Sequence, residues 1–160
     1  MLTIRRAQAD DAQKIGAVFD AAVRKGWTYF GELAERPMFL PEEWDREVAE
    51  HAAPNAMLVA INSAGELTGF TAVHPRDGEM YLLFVHPDHG GRGIGRALLD
   101  AAHDVLRAEG CREVFLHTDE RNGRAIAFYE AAGYRRDGTV KQTEFRGVHL
   151  REPRLVKTLR

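Results

Sequence analysis

Cysteine and serine are nearly missing from this chain. Its 160 residues contain one cysteine, Cys111, which excludes an internal disulfide framework and a zinc centre built on several cysteines. The only serine, Ser63, sits in the turn-like Asn62-Ser63-Ala64-Gly65, so a G-x-S-x-G hydrolase is excluded. Long apolar runs are also lacking. The longest are the six-residue stretches Ala56 to Ile61 and Met80 to Val85, far short of the roughly 20 residues that span a bilayer. There is no excess of one charge: 22 Lys+Arg stand against 24 Asp+Glu, a net of −2. A nucleic-acid binder usually carries a basic surplus to meet phosphate. The expectation is therefore no nucleic-acid partner and no membrane partner. Met1 to Asp10 has no apolar core of a secretory signal, and a cytoplasmic location is expected. The hydrophobic share, 44%, is that of a globular protein. No linker, repeat or low-complexity stretch interrupts residues 1–160, which read as a single domain.

Periodicity gives the elements. Leu2 to Arg6 reads as a strand. Asp10 opens a helix with Gln13 as its reciprocal capping partner; Ile15, Val18, Phe19 and Ala22 form its apolar stripe, and Gly26 ends it. The aromatic residues Trp27, Tyr29 and Phe30 follow. Pro41 reads as the first residue of a second helix, with Glu42, Glu43 and Asp45 in its first turn. Met57 to Ile61, Leu67 to Val73 and Glu79 to Val85 read as three strands joined by the turns 62–65 and 75–78, an antiparallel meander. Alternation places Glu79, Tyr81, Leu83 and Val85 on one face. Ile94, Ala97, Leu98, Ala101, Val105 and Leu106 mark a strongly amphipathic helix closed by Gly110. A strand at Glu113 to His117, a short helix at Asn122 to Ala132 and two weaker strands near Thr139–Phe145 and Arg154–Thr158 complete the order. The fold class is mixed α/β (α+β), a mostly antiparallel central sheet of about seven strands with four helices.

The loop Val85-His-Pro-Asp-His-Gly90-Gly91-Arg92-Gly93-Ile94-Gly95-Arg96 joins a buried strand to that amphipathic helix. Glycines let a ligand approach the main chain, and the helix start offers unpaired N–H groups, so the segment fits an anion such as phosphate or pyrophosphate. It is not a Walker A loop, since no Gly-Lys-Ser/Thr follows. Nor is it G-x-G-x-x-G: the required third glycine is Arg96 or Leu98 in the two possible frames.

Two segments resemble the GNAT N-acetyltransferase superfamily. Leu82 to Leu99 looks like its acetyl-CoA signature, [QR]-x-x-G-x-[GA] after a V-x-P strand end. Asn122-Gly-Arg-Ala-Ile-Ala-Phe-Tyr-Glu-Ala-Ala-Gly-Tyr134 is similar to its N-x-x-A-x-x-[FL]-Y-x-x-x-G-[FY] helix. One departure is visible: Gly90 stands where the family has Gln or Arg. The resemblance implies acetyl-CoA as co-substrate, with no metal. The main chain of Phe84 and Val85 would pair with the pantetheine arm. The N–H groups across Gly90, Gly91, Arg92, Gly93, Ile94 and Gly95 would hold the pyrophosphate, with the Arg92 and Arg96 side chains nearby, and Asn122, Ala125 and Phe128 would line the other side. Val85 N–H would serve as the oxyanion donor.

The resemblance also assigns catalysis. Tyr129 matches the tyrosine of the second motif and would protonate the departing CoA sulfur. Glu79, eleven residues before Gly90, is the candidate base; a solvated carboxylate or a water chain remains the alternative. Trp27, Tyr29 and Phe30, with Met38, Phe39, Glu32 and Glu35 close in sequence, would shape the acceptor pocket, and aromatic faces beside carboxylates suit a cation. The implied function is transfer of an acetyl group from acetyl-CoA to a primary amine of a small molecule or peptide. The alternative is a non-catalytic acyl-CoA-binding module. Partners are the amine and, through sheet edges or C-terminal strands, a homodimer. His86 and His89 have metal-like spacing but no third ligand, and His74 and His117 lie near strand ends. Cys111 reads as a structural small hydrophobe.

Overall fold

A computed structural model describes residues 1–160. Seven strands, β1 (Thr3–Arg6), β2 (Ala56–Ile61), β3 (Leu67–His74), β4 (Glu79–Val85), β5 (Glu113–His117), β6 (Arg135–Phe145) and β7 (Val148–Thr158), form one sheet in the order β1-β2-β3-β4-β5-β7-β6. Every neighbouring pair is antiparallel except β4 and β5. These two are parallel because a helix crossover connects them, as parallel strands require. The four helices are α1 (Ala12–Gly26), α2 (Pro41–Glu50), α3 (Ile94–Ala108) and α4 (Gly123–Ala131), with short 3₁₀ turns at 9–11, 28–35 and 87–89.

The apolar stripes decide which face each helix covers. Ile15, Val18 and Phe19 of α1 and Trp44 of α2 bury against Met57, Val59, Phe70 and Ala72 on one face. Leu99, Ala102 and Leu106 of α3 and Ile126 and Tyr129 of α4 bury against Val73, Met80, Val114 and Leu155 on the other. Each fully buried leucine contributes about 1.5–3 kcal/mol.

The sequence-based boundaries shift at three places. The first helix begins at Ala12, after a 3₁₀ turn, and its reciprocal bond runs from Gln8 N–H to the Asp11 carboxylate at 2.7 Å. Gln13 instead donates to Pro41 O and Asp45 of α2, tying the two helices together. The two tail strands are eleven residues each, a hairpin turning at Arg146-Gly147. β6 is exposed along most of its length, so it carries no apolar alternation to read. Most consequential is a register shift between Ala72 and Val73, which leaves Tyr81 of β4 without a partner. This bulge breaks the alternation. Met80 packs with Leu83 on the α3 face, and Leu82 and Phe84 pack on the α1 face. Glu79, next to Met80, therefore lies opposite Leu83 and Val85, not with them.

One buried group makes the fold pH-sensitive. His103 of α3 has its Nε2 2.7 Å from the Tyr134 hydroxyl and is 3% exposed. Burial, with Lys157 and Arg107 nearby, pushes the imidazole from 6.5 down to about 4. The unfolded chain takes up this proton below 6.5, whereas the folded one resists until about 4. Stability is thus full above 6.5, falls as pH drops towards 4, and loses no more from this group below that. The loss is about 3 kcal/mol. Urea unfolding at pH 7 and pH 4 should read it, and His103→Gln should flatten the dependence over this window.

Candidate active site

β4 and β5 pair at one point, the start of β4 against the middle of β5. Glu79 pairs with Phe115, and Phe115 N–H donates to Gly78 O at 3.0 Å. Beyond that point the strands diverge, and a cavity of about 250 Å³ opens in the wedge. It is lined by Met80 to Phe84 of β4, Leu116 and His117 of β5, and Tyr129 of α4. The β3–β4 register fixes which main-chain groups face it. His86 N–H donates to Thr68 O at 2.8 Å, and Phe84 pairs with Phe70 two residues back. In an antiparallel ladder the intervening residues turn their polar groups to the other side. Leu83 and Val85 thus point N–H and C=O into the wedge. Phe84 lines the cavity with its ring, but its N–H and C=O belong to the β3 ladder. The main-chain acceptor for an added strand is accordingly Leu83 and Val85, one residue offset from the Phe84–Val85 pair expected.

A second cavity, of about 640 Å³, continues past Leu83, Phe84, Ala125 and Tyr129 to the glycine loop. The N–H groups of Gly91, Arg92, Gly93, Ile94, Gly95 and Arg96 donate to no protein acceptor; the first helical bond of α3 is Ala97 N–H to Gly93 O, 3.0 Å. Gly91 (φ 74°) and Gly93 (φ 79°) are left-handed, a conformation that favours glycine. A Cβ at Gly95 would stand 3.4 Å from the Phe128 ring, in ordinary contact and facing the cavity. Gly90 lines the cavity, but its N–H is spent on Pro87 O at 3.2 Å. The free N–H donors on residues lining this cavity are therefore those of Gly91, Gly93, Ile94, Gly95 and Arg96, without Gly90. The N terminus of α4 reaches the same space, where Gly123 and Arg124 N–H have no protein acceptor and Asn122 caps Ala125 N–H at 3.4 Å.

The side-chain charges differ from expectation. Arg92 does not line this cavity; its guanidinium lies 3.4 Å from His89 Nδ1. Arg96 does line it, held by Asp100 at 3.1 Å. Lys25 at the end of α1, Arg121 and Arg124 line it too, and no Asp or Glu does. These three basic residues lie outside the glycine motif, and no sequence signal tied them to it. Arg121 is bonded to Asp119 at 2.8 Å and lies 4.3 Å from the Tyr29 ring centre. Burial works against the Asp119 carboxylate, but hydrogen bonds from Arg121 and from Arg151 N–H hold it below the usual range.

Tyr129 lines both cavities and is 7% exposed. Burial pushes its phenol well above the ordinary value, so it stays protonated. Glu79 lines the wedge cavity at its base, where it meets His74. Trp27, Tyr29 and Phe30 line the same cavity, Trp27 stacked on Phe30 with centroids 5.3 Å apart.

A third cavity, of about 670 Å³, adjoins the wedge through Trp27, Tyr81, Leu82 and Leu150. Its walls are Phe19, Phe39, Trp44 and Phe145, with Glu43, Glu47, Glu50 and Glu144 against Arg46 and Arg146. Arg146 is drawn off by a hydrogen bond to Met38 O. The expected carboxylates, Glu32 and Glu35, are exposed and line none of the three cavities, and Met38 is a buried core residue. Glu47 and Glu50 come from α2, where their helical spacing reads equally as a solvated face. The Cys111 thiol donates to Pro75 O at 3.1 Å and is pushed up by burial, as suits a structural role. No helix is long and apolar enough to cross a membrane.

Comparison with known proteins follows this geometry. Residues 20–134 match the model of the Acetyltransferase (GNAT) family. A mycothiol acetyltransferase of Paenarthrobacter aurescens is 37% identical over 97 residues, which cover 56% of this chain and 30% of that protein. This chain thus spans under a third of such relatives. An N-acetyltransferase from Thermoplasma acidophilum in complex with coenzyme A superposes with a TM-score of 0.78 at 20% identity, covering 99% of both chains. A phosphinothricin acetyltransferase from Sinorhizobium meliloti in complex with acetyl-CoA gives 0.77 at 21%, covering 99% of this chain and 88% of that one. The splayed parallel pair, the glycine cradle and the matched family model agree: this chain belongs to the acetyltransferase (GNAT) family.

Proposed function

We propose that the chain transfers an acetyl group directly from acetyl-CoA to a primary amine of a small molecule or peptide, both substrates being bound together. The observation that carries this reading is a polarity gradient along one cleft. Its loop end is lined by Lys25, Arg96, Arg121 and Arg124 without a carboxylate. Its far end has four glutamates against Arg46 and Arg146, beside aromatic walls. Tyr129 and Glu79 stand between. The basic end, with five unpaired loop N–H groups on its lining residues, suits a diphosphate; the acidic aromatic end suits an ammonium.

The residues then divide the work. Leu83 and Val85 offer main-chain groups to an extended pantetheine arm, and Val85 N–H meets the charge that develops on the thioester oxygen. An alkylammonium, with pKa near ~10, must lose a proton before its nitrogen can attack. Glu79 accepts that proton. Attack forms the C–N bond and a tetrahedral oxyanion; collapse breaks the C–S bond, and Tyr129 donates its proton to the sulfur. The nitrogen gives up its second proton, and Tyr129 regains one. The net products are the amide, CoA thiol and one proton.

Calorimetry with acetyl-CoA, then thiol release against phenethylamine, spermidine, glucosamine, lysine amide and a peptide with a free N terminus, tests the reading. Binding together with thiol release on at least one amine is expected. Binding without turnover on any of them would replace it with an acyl-CoA-binding module, and no binding would end both.

A further inference from the structure

Behind Glu79 stands a chain of polar groups that the scheme above does not use. His51, at the end of α2, is 8% exposed. Its Nδ1 lies 2.7 Å from Glu47 O and its Nε2 lies 3.0 Å from Nε2 of His74, the last residue of β3. His74 Nδ1 in turn lies 3.4 Å from Glu79 Oε1. The two imidazoles meet edge to edge in nearly one plane, centroids 5.0 Å apart, and the His74 ring stacks on Tyr81 at 4.3 Å.

These contacts fix where the hydrogens sit. A carbonyl only accepts, so His51 Nδ1 carries a hydrogen and donates it to Glu47 O. Neutral His51 then has a bare Nε2, which must accept from His74 Nε2–H. Neutral His74 consequently presents a bare Nδ1 to the Glu79 carboxylate. Two acceptors facing each other at 3.4 Å leave room for one more proton between them, and no other gap in the array does. The groups around that gap are mostly carboxylates, with Lys141 and Arg46 lining the adjoining cavities. Asp77 has a carboxylate oxygen within 4.8 Å of the His74 and Glu79 donor atoms. Glu47 Oε1 lies 3.8 Å from His51 Nδ1, and Glu50 lines the adjoining cavity. No Lys or Arg forms an ion pair with any of these four carboxylates.

We propose that His74, oriented by His51, is a positioning residue that relieves Glu79 of the proton taken from the acceptor ammonium. The inference rests on the reading of Glu79 as base. The ammonium N–H bond breaks and the proton passes to Glu79. The carboxyl O–H then breaks as the His74 Nδ1–H bond forms, which restores the carboxylate and leaves an imidazolium whose Nε2–H is held by His51. The His74 side chain is 24% exposed, and the proton leaves from it to water.

Two measurements test this. Long-range ¹H–¹⁵N spectra of the free protein at neutral pH need no acceptor: His51 should show the Nδ1–H tautomer, and an Nε2–H form of His51 would overturn the proposal. The second is the pH profile of kcat/KM with the fastest amine of the panel. For His74→Gln an approximately tenfold fall at pH 7 is expected, closing as pH rises to ~9.5 and the amine loses its own proton, with acetyl-CoA affinity unchanged. His51→Phe, which keeps an aromatic ring but offers no acceptor, should behave alike; His51→Gln, which keeps an acceptor oxygen, should recover much of the loss. A deficit independent of pH, or none, overturns the role of His74. If Glu79→Gln also leaves the profile unchanged, the base reading itself fails; if only Glu79→Gln alters it, the relay alone fails.

Discussion

Tyr129→Phe is expected to lower kcat by roughly 10²- to 10³-fold while leaving acetyl-CoA affinity within a factor of two of the parent. The substitution removes one oxygen and keeps the ring that packs against Phe128 and Tyr134, centroids 5.2 and 5.6 Å away. Core packing therefore survives, and the change in stability should stay below about 1 kcal/mol. What is lost is a proton donor placed where the loop cavity meets the wedge. The direction of its shift matters. Burial raises the phenol, so Tyr129 holds its proton, which fits the acid's part in the proposed scheme and not the base's. In that scheme amine deprotonation falls to Glu79, which lines the same wedge. Thiol-release kinetics, calorimetry and a thermal melt on one preparation separate the outcomes. Unchanged kcat would make Tyr129 a packing residue only.

What the sequence makes legible here is what depends on local pattern. The α3 stripe, the β2–β3–β4 meander, Pro41 starting α2 and the glycines before Ile94 all follow from spacing within one segment, and each appears where the pattern puts it. The parts that stay hidden depend on how segments meet. The Tyr81 bulge is a property of β3 pairing with β4; the run Glu79 to Val85 reads as an uninterrupted strand, and the face of Glu79 cannot be assigned without it. Gly90 sits inside the glycine cluster yet gives its N–H to Pro87, because the 3₁₀ turn at 87–89 closes on it. The basic wall gathers Lys25, Arg121 and Arg124 from elements about a hundred residues apart. His51 and His74 are 23 positions apart, and no spacing rule links them. Short-range chemistry thus locates the cleft, while pairing register and the convergence of distant elements decide its polarity and bring His51 and His74 together.

Gly93→Asp should separate the cradle's charge from its shape. Gly93 is the N-cap of α3 at φ 79°, and nothing lies within 4 Å of a Cβ built there, so no clash accompanies a side chain. Asp and Asn enter the left-handed region more readily than other residues, so the two variants carry the same modest backbone strain at φ 79°. Asn at this position therefore reproduces the shape without the charge, and its effect on acetyl-CoA binding should be a few-fold. Asp adds a carboxylate among six N–H groups that have no other acceptor. At about 5 Å from a bound phosphate, and at an effective dielectric of ~20, that repulsion is roughly 3 kcal/mol, or on the order of a 100-fold loss of affinity. Salt should narrow the gap between the two variants, since the cleft is open to solvent. Both should melt below the parent by a similar small amount, because they share the left-handed strain. Calorimetry with acetyl-CoA at low and high salt reads all of this. Equal losses for Asp and Asn would mean that the loop contributes shape alone, and no loss for either would place the diphosphate elsewhere.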